Sequence, residues 1–319
     1  IVGNIGGTLV KLKRLTAYFK NHRINFNSVY LLSNSIYLSK NALKFINKSN
    51  IPIVHNQDGV FYKGWYGEGW EEKNKLMSFQ YHLADYVFYQ SNFSKYCSEK
   101  FLGKREGYGE ILYNAVDNNF FKPYKKKLLG TELKILVSGK YQEHLYYSVE
   151  FSIHVLSQLI TNKIKANIEF AGFYPSSVIK KIFTLARSLN IEDKIKFSGT
   201  YKQDDANLVY NSADIYFYFV HQSNCPNSVI EAMSCGLPIL STNTGGLPEI
   251  VGNHSGVCLE TQRSWDKPFL PNLNEALNGI KKIIINYSDY SNNSINKVAK
   301  DHNINIWIKK HEEIFNKLI

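Results

Sequence analysis

Acidic residues are scarce in the first 128 positions, where 9 Asp and Glu face 19 Lys and Arg; the remainder holds 18 against 19. A basic half beside a neutral half suggests that one half meets an anionic surface or substrate. Lys11, Lys13, Arg14, Lys20 and Arg23 crowd the first predicted helix, and Lys122, Lys125, Lys126 and Lys127 a later segment. The plainer reading is solvated helix faces and a linker. Apolar runs of the ~18–20 residues that a membrane span needs are missing. The opening Ile1-Val-Gly-Asn-Ile reads as a strand and not as a signal peptide, and without Met it fits a processed or trimmed N-terminus. Cysteine is sparse: Cys97, Cys225, Cys235 and Cys258 lack metal-ligand spacing. Cys225 and Cys235 flank a predicted helix, too far apart to bridge, which points to structural thiols in a reducing compartment. Repeats of solenoid period and low-complexity tracts are absent. No nucleic-acid motif accompanies the pI of about 9.2, so nucleic acid is not an expected partner.

What is present is alternation. Strand-like runs at Ser28–Ser33, Ile51–His55, Asp85–Gln90 and Glu110–Asn114 are separated by helical stretches near Thr8–Lys20, Leu38–Asn47, Glu71–Ala84 and Phe93–Phe101. Gly64–Trp70 is expected as a mobile surface loop and Lys122–Thr131 as a linker. The alternation then restarts, with strands at Leu133–Ser138, Asn167–Ala171, Ile195–Ser198, Ile215–Val220 and Pro238–Ser241. At 319 residues the chain suits two doubly wound α/β domains. The tail is helical over Leu273–Ile285 and Asn303–Ile319, where Ile306, Trp307, Phe315 and Leu318 offer an apolar face.

Cys225–Val251 is the most informative stretch. Pro226 and Asn227 start a helix and Gly236 with Pro238 ends it; a buried strand over Pro238–Ser241 follows, and Gly245-Gly246 opens another helix. Two helix N-termini beyond a strand's carboxyl end suit an anion such as a diphosphate. Glu231 and Glu249 add carboxylates suited to sugar or ribose hydroxyls.

This stretch resembles the signature of GT-B glycosyltransferases of family 4, the group 1 transferases: Pro followed by a Glu-Ala helix, a Gly-x-Pro strand and Gly-Gly-x-Pro-Glu. Ala171-Gly172-Phe173, Phe197-Ser198-Gly199 and Leu208–Ile215 are similar to family segments. So are Ala84–Ser91, Ile111–Asp117, Phe121-Lys122-Pro123 and the opening Gly6-Gly7. The resemblance implies a GT-B fold: two Rossmann-like domains facing a central cleft, the first shortened. The expected divisions are an N-terminal acceptor domain over 1–127, a donor domain over 128–300, and a helix over 301–319 returning to the first domain.

By resemblance, Glu231 holds the nucleotide ribose; complementing its helix dipole is the structural alternative. The backbone N–H groups of Asn227 and Ser228 receive a phosphate, which Gly6 and Gly7 approach closely. Thr244, Gly245, Gly246 and Leu247 line the donor-sugar side, and Glu249 either orients that loop or caps the next helix. Eight residues before Glu231 the family carries a second acid that touches the sugar; here it is Ser223, a hydroxyl without charge. Positive charge for the departing diphosphate falls to Lys140. The family's second basic place lies near Leu145 or Tyr146, with His144 the nearest substitute. His55 closes a strand where the family has a histidine facing the donor. Asp204-Asp205 reads as a helix cap, not a metal site, and neither metal nor cofactor is expected.

The resemblance implies a retaining glycosyltransferase of hexosyltransferase type. It would move a sugar from a UDP, GDP or ADP donor to a saccharide or lipid-linked acceptor in glycan, polysaccharide or glycolipid synthesis. Its place would be cytoplasmic, peripheral at the anionic inner face of a membrane. The rival readings keep the fold: a nucleotide-sugar epimerase or phosphorylase, or a nucleotide-sugar binding protein whose catalysis is impaired at Ser223.

Overall fold

The structure is a computed structural model that describes residues 7–22, 24–33, 38–125 and 128–319. The strand expected over Ile1–Ile5, together with Gly6, lies outside the described residues. The chain divides into two compact units: Ile1–Asn114 with Ser264–Pro268 and Ile304–Ile319, and Ala115–Arg263 with Phe269–Asn303.

In the first unit, β1 (Val29–Leu32), β2 (Ile53–Gln57), β3 (Tyr86–Tyr89) and β4 (Tyr108–Ile111) lie side by side in that order, all parallel. Parallel neighbours need crossover helices, which cover both faces of the sheet. Helix α1 (Gly7–Thr16) precedes β1, the crossovers are α2 (Lys40–Lys48), α3 (Lys63–Tyr66), α4 (Trp70–Leu83) and α5 (Asn92–Phe101), and the terminal helix Ile304–Leu318 joins them. Every residue of β2 and β3 is buried, and alternate side chains divide between two cores. Ile53, Val87 and Tyr89 pack with Leu43, Met77, Tyr81 and Phe93; Val54, Tyr86 and Phe88 pack with Ile314. Each fully buried side chain of this size contributes ~1.5–3 kcal/mol.

Several expectations for this unit change. The terminal helix turns Ile304, Trp307, His311 and Ile314 inward, while Ile306 stays 55% exposed. Lys11 does not belong to a basic surface: it is buried, and its Nζ donates to Asn56 Oδ1 at 2.6 Å. Nor is Gly64–Trp70 a loose loop. Gly64 N donates to Trp265 O at 2.6 Å, and α4 already begins at Trp70. Trp265 is held among Tyr62, Phe93 and Phe101, so the short segment Ser264–Pro268 is anchored in this unit.

The second unit holds β5 (Leu133–Lys140), β6 (Ala166–Phe173), β7 (Ile195–Gly199), β8 (Ile215–Tyr218), β9 (Ile239–Thr242) and β10 (Gly256–Leu259), all parallel, in the order β10-β9-β8-β5-β6-β7. Between and after them lie α6 (Tyr146–Thr161), α7 (Ser176–Ser188), α8 (Ala206–Asn211), α9 (Asn227–Ser234), α10 (Leu247–Val251), α11 (Leu273–Ile285) and α12 (Tyr287–Asp301). The order reverses between β5 and β8, and a crevice opens beyond the carboxyl ends of strands at such a switch point. The four cysteines are free thiols. Asp205 stands at the start of α8 without a side-chain capping bond.

Residues before the lysine-rich stretch already pack on this unit. Val116 N donates to His302 O, Ser234 Oγ to Phe121 O and Tyr124 N to Asn211 Oδ1. The chain therefore enters the second unit at Ala115, ahead of the division expected at 127/128.

Candidate functional site

The switch point brings together the segments after β5, β8 and β9. Glu231 lies one turn into α9, with its carboxylate buried. Its Oε2 accepts from Tyr210 Oη–H at 3.0 Å and its Oε1 from Gln203 Nε2 at 3.4 Å. Burial, then the neighbouring Tyr201 and Glu231, push the Tyr210 phenol well up. It stays protonated at neutral pH and donates to the carboxylate. α9 begins directly after Pro226, with no side-chain cap at its N-terminus, so the helix presents the N–H groups of Asn227 and Ser228 at an open end.

Two loops are clamped together beside this end. Ser223 O accepts from Gly246 N at 2.8 Å. Gln222 N donates to Thr244 Oγ1 at 3.1 Å, and that hydroxyl meets Thr242 Oγ1 at 3.0 Å. Gly245 makes the approach possible. Its φ is +69°, and a Cβ there would stand 2.2 Å from Ser223 O. Ser223 Oγ pairs with Tyr218 Oη at 3.0 Å, so the position where an acid was expected carries two neutral hydroxyls. Leu247 and Glu249 occupy the first turn of α10, and Leu247 is fully buried.

Lys140 closes β5 at the same end of the sheet, exposed, with Nζ 5.9 Å from the Phe173 ring centre. His144 follows in the turn before α6. Burial lowers its pKa, which holds the imidazole neutral at pH 7 and leaves positive charge here to Lys140.

His55 is elsewhere. It lies in β2 of the first unit, fully buried. Gln57 Nε2 donates to Gly59 O, so Gln57 Oε1 accepts from His55 Nε2–H at 2.7 Å, which fixes the tautomer. Burial pushes its pKa down to about 4. Gly7 opens α1 of the same unit.

Sequence reading missed Tyr210, Tyr218 and Gln222. Tyr216 and Tyr218 share one face of β8 by the strand's period of two, and Tyr210 falls in a segment already quoted for its resemblance. That spacing was the available signal. Gln222 had none, because its φ of +51° appears only in the fold.

The profile of the family described as "Glycosyl transferases group 1" matches residues 118–283, just over half the chain. The chain belongs to that family. A curated relative, the gpi3 subunit of phosphatidylinositol N-acetylglucosaminyltransferase from Schizosaccharomyces pombe, is 25% identical over 146 residues, covering 45% of this chain and 31% of the relative. The match spans about a third of the length of the first curated relatives. Among solved structures, sucrose-phosphate synthase from Thermosynechococcus elongatus superposes with a TM-score of 0.76 at 16% identity, covering 98% of this chain and 77% of that one. HepE from Anabaena, solved in complex with UDP and glucose, gives 0.72 at 16%, covering 97% and 82%. The fold is GT-B: two Rossmann-like α/β sheets.

Proposed function

We propose that the protein is a retaining glycosyltransferase that moves a sugar from a nucleoside-diphosphate sugar to an acceptor hydroxyl. The observation that carries this reading is the convergence of the buried Glu231 carboxylate, the uncapped N-terminus of α9 and Lys140 at one switch point. Glu231 suits the two ribose hydroxyls as a charged acceptor. The N–H groups of Asn227 and Ser228 meet the diphosphate. As the bond from the anomeric carbon to the diphosphate breaks, the charge gained by the leaving oxygen is met by that helix end and by Lys140. Thr244–Leu247 and Glu249 lie on the sugar side. Gly7 and His55 belong to the first unit, to which the acceptor is assigned. Structures of the same fold in complex with UDP, or with UDP and a sugar, favour UDP as the nucleotide.

A lipid-linked or saccharide acceptor at an anionic, cytoplasmic membrane face is the proposed setting. No helix among the described residues is long and apolar enough to cross a membrane, so association would be peripheral. α2 supports it: Phe45 is 71% exposed, and Lys48, one turn further on, is exposed too. The Schizosaccharomyces pombe relative, whose name includes phosphatidylinositol, is consistent with such an acceptor.

The test is a transfer assay with UDP-, GDP- and ADP-sugars against saccharide and phospholipid acceptors, with the product's anomeric configuration read by NMR. An α-linked donor should give an α-linked product. Inversion, or isomerisation of the donor without transfer, would replace this reading with another.

A further inference from the structure

Gln222 stands out in the second unit. Its side chain is 2% exposed, yet both amide atoms, Nε2 and Oε1, are buried without a hydrogen-bond partner among the described residues. Leaving such a group unpaired forfeits the hydrogen bonds it made to water in the unfolded chain. Its backbone adds to the cost: φ is +51°, a left-handed conformation unfavourable for a residue with a side chain. The fold nevertheless fixes this conformation from both sides. Gln222 N is held by Thr244 Oγ1, and the carbonyl of the next residue, Ser223, is held by Gly246 N. Strain held in place at a crevice, around a side chain the fold itself does not use, marks a group reserved for a ligand.

The chemistry of the amide selects the part of the ligand. A carboxamide offers two N–H donors and a carbonyl acceptor. A diphosphate accepts only, and would leave Oε1 facing negative oxygen. The hydroxyls of a sugar both donate and accept, and so satisfy both ends. The ribose already has a charged acceptor in Glu231. Beside Gln222, Ser223 Oγ and Tyr218 Oη form a neutral hydroxyl pair.

We propose that Gln222 is a specificity-determining residue that binds hydroxyl groups of the transferred sugar. The inference rests on the donor reading above. Gln222 reads the sugar and leaves the nucleotide to α9 and Glu231.

Calorimetric titration of wild type, Gln222→Ala and Gln222→Asn with UDP and with the best-bound UDP-sugar tests it. Asparagine tolerates a left-handed backbone better than glutamine, so the Asn variant folds while its shorter amide falls back from the ligand. UDP affinity should change less than about twofold in both variants. The ratio of sugar-nucleotide to UDP affinity should move about tenfold against the sugar, the loss of one net hydrogen bond or more. Without ligand, the thermal midpoint of Gln222→Asn should equal or exceed that of wild type; a merely structural amide would lower it. An unchanged affinity ratio in variants that bind UDP normally overturns the role of Gln222 and leaves the donor reading intact. If wild type binds no UDP, GDP or ADP, the donor reading fails and this inference with it.

Discussion

The Tyr210 hydroxyl donates to Glu231 Oε2 at 3.0 Å, joining the helix before β8 to the helix after it. The bond aligns a buried carboxylate without neutralising it. Glu231→Gln should therefore weaken nucleotide binding by about 10- to 100-fold, the worth of one or two hydrogen bonds to a charged acceptor. Tyr210→Phe keeps the charge and should cost less than about tenfold. Titration with UDP measures both, and equal losses in the two variants would contradict the assignment of the ribose to Glu231.

Gly245 and Gly199 make a matched pair of left-handed glycines, at φ +69° and +67°. Open space surrounds Gly199, whereas a Cβ at Gly245 would meet Ser223 O at 2.2 Å. Gly199→Ala should cost ~1–2 kcal/mol, the conformational penalty alone. Gly245→Ala should cost about 3 kcal/mol, because the clamp between the two loops must also open. Urea unfolding of both variants checks the contrast.

Lys140 is assigned to the leaving group, so its removal should act on turnover. Lys140→Ala should lower kcat by about 100-fold or more and leave donor Kd nearly unchanged. A change in Kd alone would make Lys140 a binding residue instead.

His311 predicts acid sensitivity in the first unit. Its Nδ1–H donates to Trp307 O at 2.8 Å, and Nε2 accepts from Tyr30 Oη–H at 2.9 Å. Burial, reinforced by Lys11, pushes its pKa down to about 4, against 6.5 in the unfolded chain. His55 behaves alike, also at about 4. Between pH 6.5 and 4 the unfolded chain binds protons that the folded unit refuses, so stability falls as pH falls through that window. Each histidine contributes on the order of 3 kcal/mol over the full range. His311→Gln should flatten the dependence of the urea midpoint on pH over this range; an unchanged slope would contradict it.

Much of the fold was legible because parallel strands buried on both faces read as short apolar runs. α11 matches its expected limits residue for residue, and α9 and α10 start where Pro226-Asn227 and Gly245-Gly246 open helices. α12 was not legible. Its inward face includes Ser291 and Ser294, whose small polar side chains carry no apolar period, and Ser294 Oγ instead bonds main-chain oxygens at Leu237 and Ser255. β10 escaped because four residues, Gly256–Leu259, are too few to show a pattern. In the site, the residues within Cys225–Val251 could be named from their resemblance to the family signature. The partners that orient them could not: Tyr210 reaches Glu231 across 21 positions, and Gln222 owes its place to a left-handed backbone.

The central claim is that the loops around Ser223 and Gly245, with the start of α9, hold a nucleoside-diphosphate sugar. Hydrogen–deuterium exchange with and without UDP and a UDP-sugar tests it most directly. Slower exchange confined to peptides covering 221–231 and 244–249 is the predicted result. Protection centred on other segments of the second unit, with these peptides unchanged, would contradict the account.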